Sequence, residues 1–479
     1  MQTHSYNAAR SSLAVLAGLL IHYLVFYTTS ARLLTESAAE WIMARTPSRF
    51  AVPLLASLGA WAKPFAMTGA LALLGAATLL AQLAWRGRRG YLPGLLTLAA
   101  AAAALSLALG YSSATGIASF WLPAALALCF LNRPQSHLLS TPAAPARRLF
   151  LASTMTAGVA AVAGESYLRN AALARRAVQP VTLSPFTPPA STFGNGLVRP
   201  NVTPIPSFYG MRKTAVDPSL NPSTWRLRLT LEGQLLREFT FAELLTLPRT
   251  ERYATLRCIS NTLRSDLMGS ALWSGFPLSL LIDRRRLPPD ILEAAIIGAD
   301  GHSDSVAIDY AFSDEFLLIT GMDGKTLSRI HGFPLRMLAP RYYGFKNVKW
   351  ISEIRFVRQP YYGTWPKLGY TRQPLIHTAS HIDRIRRSGN TLSLGGVSFA
   401  GIRGIRDVVL RAGDGPWQKA TLEPPLSPYT WTRWYGDLPI DNATTVEARA
   451  LDGAGNWQES AVGPLFPNGV TGPTIRTID

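Results

Sequence analysis

The sequence predicts a chain of three parts: N-terminal transmembrane α-helices, an α+β domain that mixes strands with helices, and a C-terminal antiparallel β-sandwich. Three observations support this fold class. A chain of 479 residues is too long for one ordinary domain. The first third is almost wholly apolar, with Glu36 and Glu40 as the only acidic residues before Glu165. After Glu165, short runs alternate with the period of strands.

Four apolar segments are long enough to cross a bilayer, which takes about 20 residues of helix. A fifth segment, residues 149–164, is shorter and less apolar. Buried core helices of a soluble protein are the alternative, but such a protein rarely has several long uncharged stretches in one half. Residues 1–146 are therefore predicted to be a four-helix transmembrane region. The four segments are residues 12–29, 64–85, 91–110 and 112–131.

Clusters of arginine orient these segments, because Lys and Arg favour the cytoplasmic side of a membrane. One cluster lies at residues 86–89 and another at residues 133–148, and both are predicted to lie inside. The chain after Glu165 is then predicted to lie outside the cytoplasm. From Glu165 to Asp479 the chain has 36 Lys and Arg and 27 Asp and Glu, a net charge of +9, which is consistent with an anionic substrate, cofactor or lipid. Nucleic acid is not expected as a partner, because the sequence has no basic helix or aromatic–basic surface typical of it.

Residues 147–165, which begin with Arg147 and Arg148, resemble a twin-arginine export signal, "ARRLFLASTMTAGVAAVAGESYL". An ordinary positive flank of a membrane helix is the open alternative. The resemblance implies export of a folded domain, often one already loaded with a cofactor. Residues 166–206 follow as a proline-rich linker, which is predicted to be extended or to cross a domain surface as a strap.

The remaining sequence reads as two domains. In residues 207–368, "WRLRLTLEGQL" alternates like a strand and "TFAELLTL" has helical spacing, which predicts a mixed domain. In residues 369–479, "TLSLGGVSFAG", "IRDVVLRAGDG", "WQKATLE" and "TTVEARALDGAGNWQ" are short alternating runs separated by Gly and Asp turns. That pattern is typical of an antiparallel, immunoglobulin-like β-sandwich.

The chain has two cysteines, and the predicted topology keeps them apart. Cys129 falls in the fourth membrane span, so Cys258 is predicted to stay unpaired. From the residues alone three interpretations of Cys258 stay open: a small buried apolar residue, a thiol nucleophile, or a ligand to a soft metal. No histidine base lies near it in the sequence.

The run around Cys258, "YATLRCISNTLRSDLMGSALWSGFPLSLLID", closely resembles the motif in which sulfite-oxidase family molybdopterin enzymes bind molybdenum through one cysteine. Two more runs agree in order: "PSFYGMRKTAVDPSLNPSTWRLRL" resembles the family's entry strand, and "LLITGMDGKTLSRIHGFPLRMLAPRYYGFKNVKWISEIRFV" its cofactor-anchoring segment. The resemblance covers residues 200–460. It implies a molybdenum–molybdopterin cofactor with Cys258 as its only protein ligand, and two-electron oxygen-atom transfer. The sandwich often mediates dimerisation in this family, so a homodimer is one expected assembly.

The resemblance also assigns residues to the cofactor. Molybdopterin carries a phosphate, so its site needs cations and hydrogen-bond donors, and the "HGFPLR" and "KNVK" runs supply them together with Lys346. A solvated basic loop is the alternative. His331 and Arg336 are expected to contact the pterin, and the "NVK" residues to hold the phosphate. The full predicted set is Ser207, Tyr209, Cys258, His331, Arg336, Asn347, Val348 and Lys349.

The substrate residues match the family less well. Where sulfite oxidases carry an anion-facing arginine, this chain has Leu263, followed by Arg264. The family's pocket tyrosine is matched to His302, and Arg212 to another anion-facing arginine. His302 is expected to bond a metal oxo group or relay a proton, with a neutral surface histidine as the alternative. The sequence leaves open whether the substrate is a small oxyanion or a sulfoxide, and in which direction oxygen moves.

A quinone or a separate cytochrome is the predicted electron partner. A haem between membrane helices usually needs two histidines, and His22 is the only one within a predicted span. Two other classes stay open: a cofactor-free binding protein on the same scaffold, and a transporter or sensor built on the spans. The second is disfavoured because the predicted spans contain no charged residue.

Overall fold

The computed structural model describes residues 179–478, except residues 192, 194–195, 215–216, 264 and 441–442. The predicted membrane spans, the segment at residues 147–165 and Cys129 lie outside the described residues. Within the described part, no helix is long and apolar enough to cross a bilayer. The elements below belong to one compact unit, Arg176–Lys213 with Asp217–Asp479.

The chain before residue 369 mixes strands with short helices, and the strand and helix predicted from "WRLRLTLEGQL" and "TFAELLTL" are confirmed. The helix, α1 (Phe241–Thr246), begins with a capping box, because the Thr240 and Glu243 side chains each accept the other's backbone N–H. The other elements are β1 (Arg226–Leu231), β2 (Gln234–Thr240), β3 (Thr250–Arg257), β4 (Met268–Phe276), β5 (Glu293–Gly298), β6 (Ser303–Ala307), α2 (Ile308–Ala311), β7 (Leu317–Met322), β8 (Lys325–Thr326), β9 (Arg336–Leu338) and β10 (Ile351–Val357).

These strands form two five-stranded sheets around a shared core. The order is β2-β1-β10-β5-β6 in one sheet; in the other it is β3-β4-β7-β8, with β9 also paired to β7. β1 and β10 run parallel. Leu227 of the first sheet and Ala254 of the second are fully buried in the same hydrophobic cluster. The sheets thereby hold the ends of β3 and β9, which carry Cys258 and Arg336, on one framework.

Short 3-10 helices shape the loops between these strands. Each spans three residues, and those at 329–331 and 344–346 carry residues that the sequence assigns to the cofactor. The 3-10 helices in the described part of the chain are Ile205–Ser207, Leu278–Leu280, Arg284–Arg286, Arg329–His331, Gly344–Lys346 and Pro366–Leu368.

The C-terminal strands form two antiparallel four-stranded sheets that share a second core, which includes Leu394, Leu410 and Trp434. The predicted strands in this region are confirmed, and "WQKATLE" divides into two short strands in different sheets. The immunoglobulin-like classification stays a prediction. The strands are β11 (Ala379–Ser388), β12 (Thr391–Phe399), β13 (Ile405–Ala412), β14 (Gln418–Lys419), β15 (Thr421–Leu422), β16 (Thr432–Pro439), β17 (Thr445–Asp452) and β18 (Thr474–Thr477).

The described part of the proline-rich segment packs as a strap across this unit. Val181 and Leu183 donate backbone hydrogen bonds to the β7–β8 hairpin, at 2.8 and 2.7 Å. Further along, Arg199 bonds Asp383 of β11 at 2.7 Å and Asp266 of the loop after Cys258 at 2.6 Å. The strap therefore ties the first domain to the sandwich.

Candidate active site

Cys258 follows the last residue of β3, and its thiol is buried and free. The loop after it, residues 258–267, closes on itself: Cys258 N–H donates to the Leu267 carbonyl at 2.9 Å. The Asn261 side-chain oxygen accepts from the Leu267 N–H at 2.9 Å and from the Ser265 hydroxyl at 2.9 Å. These bonds fix the position of the sulfur at the end of the strand.

The surroundings of the thiol act on its ionisation in two directions. Burial raises the pKa of Cys258, while the N–H and hydroxyl of Ser260 and the positive charge of Arg257 lower it. Burial is the larger effect, so the thiol is protonated at neutral pH, and a metal held by this sulfur would take the place of the proton. Ser260 and Arg257 flank Cys258 in the sequence, yet sequence reasoning missed both.

The charge of the Cys258 thiolate affects two tyrosines. Burial, followed by the Cys258 charge, raises the pKa of Tyr209, and the same two causes raise the pKa of Tyr370 to about 12. Gly344 allows Tyr209 to lie near the cysteine loop, since a Cβ at Gly344 would lie 2.7 Å from the Tyr209 hydroxyl and 3.6 Å from Cys258 Cα. Tyr209 is in the predicted set. Tyr370, whose ring contacts Phe345, Trp365 and Phe466, was not in that set.

His302 is buried, so the surface-histidine alternative is wrong. Its Nε2 lies 2.8 Å from the Phe345 carbonyl oxygen, and its backbone N–H donates to Asp300 Oδ1 at 3.0 Å. A carbonyl only accepts, so Nε2 is the donor in this contact, and in the neutral ring Nδ1 is then an acceptor. Nδ1 has no partner among the described residues. His302 is thus placed to accept a hydrogen bond from a bound group, and its catalytic role stays a prediction.

Arg336, the first residue of β9, is a buried cation with neutral surroundings. Its Nη1 donates to the His331 carbonyl at 3.1 Å, and its guanidinium lies 4.8 Å from the centre of the Trp273 ring. Its Nε has no partner among the described residues. Burial lowers the pKa of Arg336 to about 10. Since a buried unpaired charge is costly, this position is suited to an anionic ligand.

His331 lies beside Arg336 but does not contribute a charge. Burial and the Arg336 charge lower the pKa of His331 to about 4, so it is neutral at physiological pH. Its Nε2 lies 3.3 Å from the Ile205 carbonyl, and its ring meets Phe208 edge-on at 5.5 Å. His331 is therefore available as a hydrogen-bonding group and not as a cation.

Lys349 supplies the second cation. Its ammonium donates to the Ile330 carbonyl at 2.8 Å, and burial lowers the pKa of Lys349 to about 7, with a smaller effect of Arg336. Gly332, at φ +106°, makes the close approach possible, because a Cβ there would lie 3.0 Å from Lys349 Cβ and 3.2 Å from Arg336 Cβ. The side chains of Lys349 and Arg336 thus both begin close to Gly332.

Other residues of the same loop form ion pairs or hydrogen bonds within the protein. Lys346 is buried against Asp304 at 2.7 Å, so the prediction that it offers a cation to the cofactor is wrong. The Asn347 side-chain oxygen accepts from the Ala339 N–H at 2.7 Å, and the Val348 N–H donates to the Lys346 carbonyl at 2.9 Å. These groups shape the loop, and a phosphate contact by Asn347 or Val348 stays a prediction.

Arg212 and Ser207 lie at the edge of this region. Arg212 Nη1 is 3.6 Å from Asp217, and its charge affects Lys349, whereas Arg257 is the cation that affects the Cys258 thiol. The anion-facing role of Arg212 stays a prediction. Ser207 is exposed at the end of its 3-10 helix.

The described residues fit a thiophilic metal carried by a phosphate-bearing organic cofactor. Cys258 provides the thiol, and two buried nitrogens, Arg336 Nε and His302 Nδ1, have no partner among the described residues. Lys349 adds a second cation at a half-buried position. A metal held by several protein side chains does not fit, because no such group of His, Cys, Asp and Glu exists among the described residues.

Residues 214–365 match the family model of the oxidoreductase molybdopterin binding domain. This match and the sulfite oxidases to which the chain is similar support a molybdopterin-dependent oxidoreductase of sulfite-oxidase type, and they imply the molybdenum–molybdopterin cofactor. It is 24% identical over 337 residues to sulfite oxidase of Gallus gallus, covering 58% of this chain and 72% of that one. It is 24% identical over 336 residues to sulfite oxidase of Arabidopsis thaliana, covering 56% and 85%.

Other matches cover a smaller share of the relative or are structural. The match to mitochondrial sulfite oxidase of Homo sapiens, at 25% identity, spans 55% of this chain and 58% of the human one. Among solved structures, the sulfane dehydrogenase SoxCD from Paracoccus pantotrophus aligns with a TM-score of 0.48 at 21% identity, over 54% of this chain and 74% of that chain.

The low pKa of Lys349 predicts a pH dependence of cofactor binding. Lys349 loses its proton as pH rises through about 7, whereas a phosphate monoester, with a second pKa near 6, is already doubly charged there. The predicted phosphate contact favours the charged lysine, so binding is expected to take up a proton above this pH. We therefore expect cofactor-free protein to bind molybdopterin more weakly as pH rises above neutrality.

This prediction is checked by loading cofactor-free protein over a pH series and measuring bound molybdopterin by the fluorescence of its oxidised form. Lys349→Met is the matched control, since it keeps a side chain of similar length without the charge. It should bind less cofactor and lose most of the pH dependence. An equal pH dependence in both proteins would show that another group titrates.

Proposed function

We propose that this chain is a membrane-anchored, molybdopterin-dependent enzyme that transfers an oxygen atom to or from a small sulfur compound in a two-electron reaction. One observation carries the proposal. A free buried thiol lies on the same framework as Arg336, a buried cation without a charged partner among the described residues, and Tyr209 lies close to the cysteine loop. The thiol suits a soft metal and the cation suits a phosphate.

When bound, the cofactor supplies the redox chemistry. The chain holds and orients it: Cys258 binds the metal, while Arg336 and Lys349 hold the phosphate. The raised pKa values of Tyr209 and Tyr370 keep both hydroxyls protonated at physiological pH. Each is therefore a hydrogen-bond donor near the sulfur, and we assign them to an oxygen atom of the substrate.

Sulfite oxidation and sulfoxide reduction are the two candidate reactions. Sulfoxide reduction is favoured by Leu263, which takes the place of a charged residue, and by the neutral hydroxyls of Tyr209 and Tyr370. Neutral donors suit a neutral S=O group, whereas a doubly charged sulfite favours cations. Sulfite oxidation is supported by the sulfite oxidases to which the chain is similar.

The experiment is elemental analysis of the purified full chain, followed by assays in both directions. We expect equimolar molybdenum, and turnover either of sulfite with an artificial electron acceptor or of a dialkyl sulfoxide with a reduced dye. Cys258→Ala, tested in parallel, identifies background reaction. A protein expressed with ample molybdate that contains no molybdenum would instead support the cofactor-free binding protein.

The membrane anchor and an extracytoplasmic site are part of the proposal. They are supported by the apolar segments in residues 12–131 and by the arginine clusters at residues 86–89 and 133–148. An electron partner within or near the membrane, a quinone or a cytochrome, follows from that placement.

This placement predicts the behaviour of reporter proteins fused after Asp479. A reporter that works only outside the cytoplasm should be active. A reporter that works only in the cytoplasm serves as the control and should stay silent. Changing both Arg147 and Arg148 to Lys should reverse the pattern if the twin-arginine pathway exports the domain. Unchanged export in that double variant would leave Arg147 and Arg148 as a positive flank only.

A further inference from the structure

The 3-10 helix Gly344–Lys346 is joined to the beginning of β6 by two contacts between neighbouring residues. The Phe345 carbonyl accepts from His302 Nε2 at 2.8 Å. The Lys346 ammonium donates to Asp304 Oδ1 at 2.7 Å and to a backbone carbonyl of β6. Because β6 pairs with β5, it belongs to the first sheet. The two contacts therefore fix the 3-10 helix, and the His302 ring with it, against that sheet.

The ion pair between Lys346 and Asp304 is almost inaccessible to solvent. The Lys346 side chain is 4% exposed and the Asp304 side chain is 1% exposed. Moving two charges out of water costs free energy, so a buried ion pair is weak evidence for stability. Asp304 Oδ2 also has no partner among the described residues. The pair is therefore better explained by the groups that it holds in place.

The same 3-10 helix contacts three side chains of the candidate active site. Gly344 packs closely against the Tyr209 hydroxyl, where a Cβ would clash. The centre of the Phe345 ring lies 6.0 Å from that of the Tyr370 ring. The Phe345 carbonyl holds the His302 ring through Nε2. A displacement of this short helix would therefore change the surroundings of all three side chains together.

We propose that Lys346 and Asp304 are positioning residues, whose ion pair keeps the Phe345 carbonyl on His302 Nε2 and thereby holds the His302 ring in one orientation, with Nδ1 as the acceptor. The pair acts through the 3-10 helix and not by contact with the substrate. Its effect on turnover rests on the function proposed above, whereas its effect on the His302 ring does not.

The experiment is proton NMR of the full chain, loaded with cofactor and carrying isotope-labelled histidine. His302→Gln identifies the signal of the His302 ring N–H, because that signal disappears. A buried, hydrogen-bonded N–H exchanges slowly with water, so the signal should be present in the unaltered chain. In Lys346→Met the carbonyl loses its anchor, and we expect this proton to exchange at least about tenfold faster.

Arg433→Met is the matched control. Arg433 is 1% exposed and forms an ion pair in the sandwich with Glu423, which is 6% exposed. Its hydrogen bonds reach Arg199, Ser191 and Glu423, and none reaches the 3-10 helix. The control therefore removes a cation from an equally buried pair and should leave the His302 signal unchanged. Equal acceleration in Arg433→Met would show that lost stability frees the ring, and would overturn the proposal.

A second variant covers the case in which Lys346→Met does not fold, as judged by circular dichroism. Lys346→Met combined with Asp304→Leu replaces the pair by apolar side chains, a change that buried ion pairs often tolerate. Exchange of the His302 proton should again be faster, because apolar side chains do not anchor the carbonyl. An exchange rate equal to that of the unaltered chain, in either folded variant, would contradict the positioning role.

Turnover gives a separate measurement in the loaded protein. We expect kcat per bound molybdenum to fall about ten- to hundredfold in Lys346→Met, with a smaller change in KM, because a small misplacement of a catalytic group slows the reaction more than it weakens binding. If the purified chain holds no molybdenum, the proposed function fails, while the exchange rates of the His302 proton in the cofactor-free protein still test the ion pair.

Discussion

Replacing Cys258 by serine should abolish turnover while the protein stays folded and retains molybdopterin. Serine has nearly the same size, and the N–H groups of Ile259 and Ser260 that face the sulfur would face the new hydroxyl instead. The fold should therefore lose little stability. The metal, however, would exchange a soft thiolate for a hard oxygen that binds it poorly. The cations at Arg336 and Lys349 are unchanged, so the organic part of the cofactor should still bind.

X-ray absorption at the molybdenum edge measures the outcome directly. We expect the number of sulfur ligands to fall by one in Cys258→Ser, and activity to fall to background. Cys129→Ser is the matched control, because it makes the same chemical change at the other cysteine and should alter neither quantity. If Cys258 were only a small core residue, its replacement would leave the sulfur count unchanged, and the metal assignment would be lost.

Local patterns were sufficient to predict the strands and the position of the thiol. Over most of its length β1 alternates apolar and polar residues because one face is buried, and that alternation is visible in the sequence. The motif around Cys258 predicts a cysteine at a strand end, where the structure places it. Such features depend on neighbours within a few residues, so they can be read without knowing the fold.

Charge states and long-range partners were not predictable in this way. Lys346 is neutralised by Asp304 of β6, a partner that only the folding of that strand brings near. His331 is neutral because burial and Arg336 lower its pKa, and the sequence gives no measure of burial. Tyr370 reaches the region of Cys258 from a loop far along the chain. The sequence supplied the residue types, and the fold decided which of them are charged and which face the thiol.

Arg336→Met should have opposite effects on cofactor content and on stability. Cofactor content should fall sharply, because the phosphate loses a buried charged donor worth about 1.5–3 kcal/mol and leaves its own charge uncompensated. Cofactor-free protein, in contrast, should become more stable. Without the cofactor, Arg336 is a buried guanidinium whose Nε has no partner among the described residues. Its pKa is lowered to about 10, which means that folding disfavours the charged form.

Methionine keeps the length and the contact with the Trp273 ring while removing the charge, so the free energy of unfolding of the cofactor-free form should rise by about 1–4 kcal/mol. Denaturant unfolding of cofactor-free protein measures this rise, and fluorescence of released molybdopterin measures cofactor content. Arg341→Met is the control: Arg341 has an ion pair with Glu315 at the surface, so its loss should not stabilise the protein and should leave cofactor content intact. A cofactor-free Arg336→Met protein that is less stable than the unaltered chain would show that Arg336 already has a counter-charge. A site that binds an anionic cofactor requires a cation, even where that cation destabilises the cofactor-free protein.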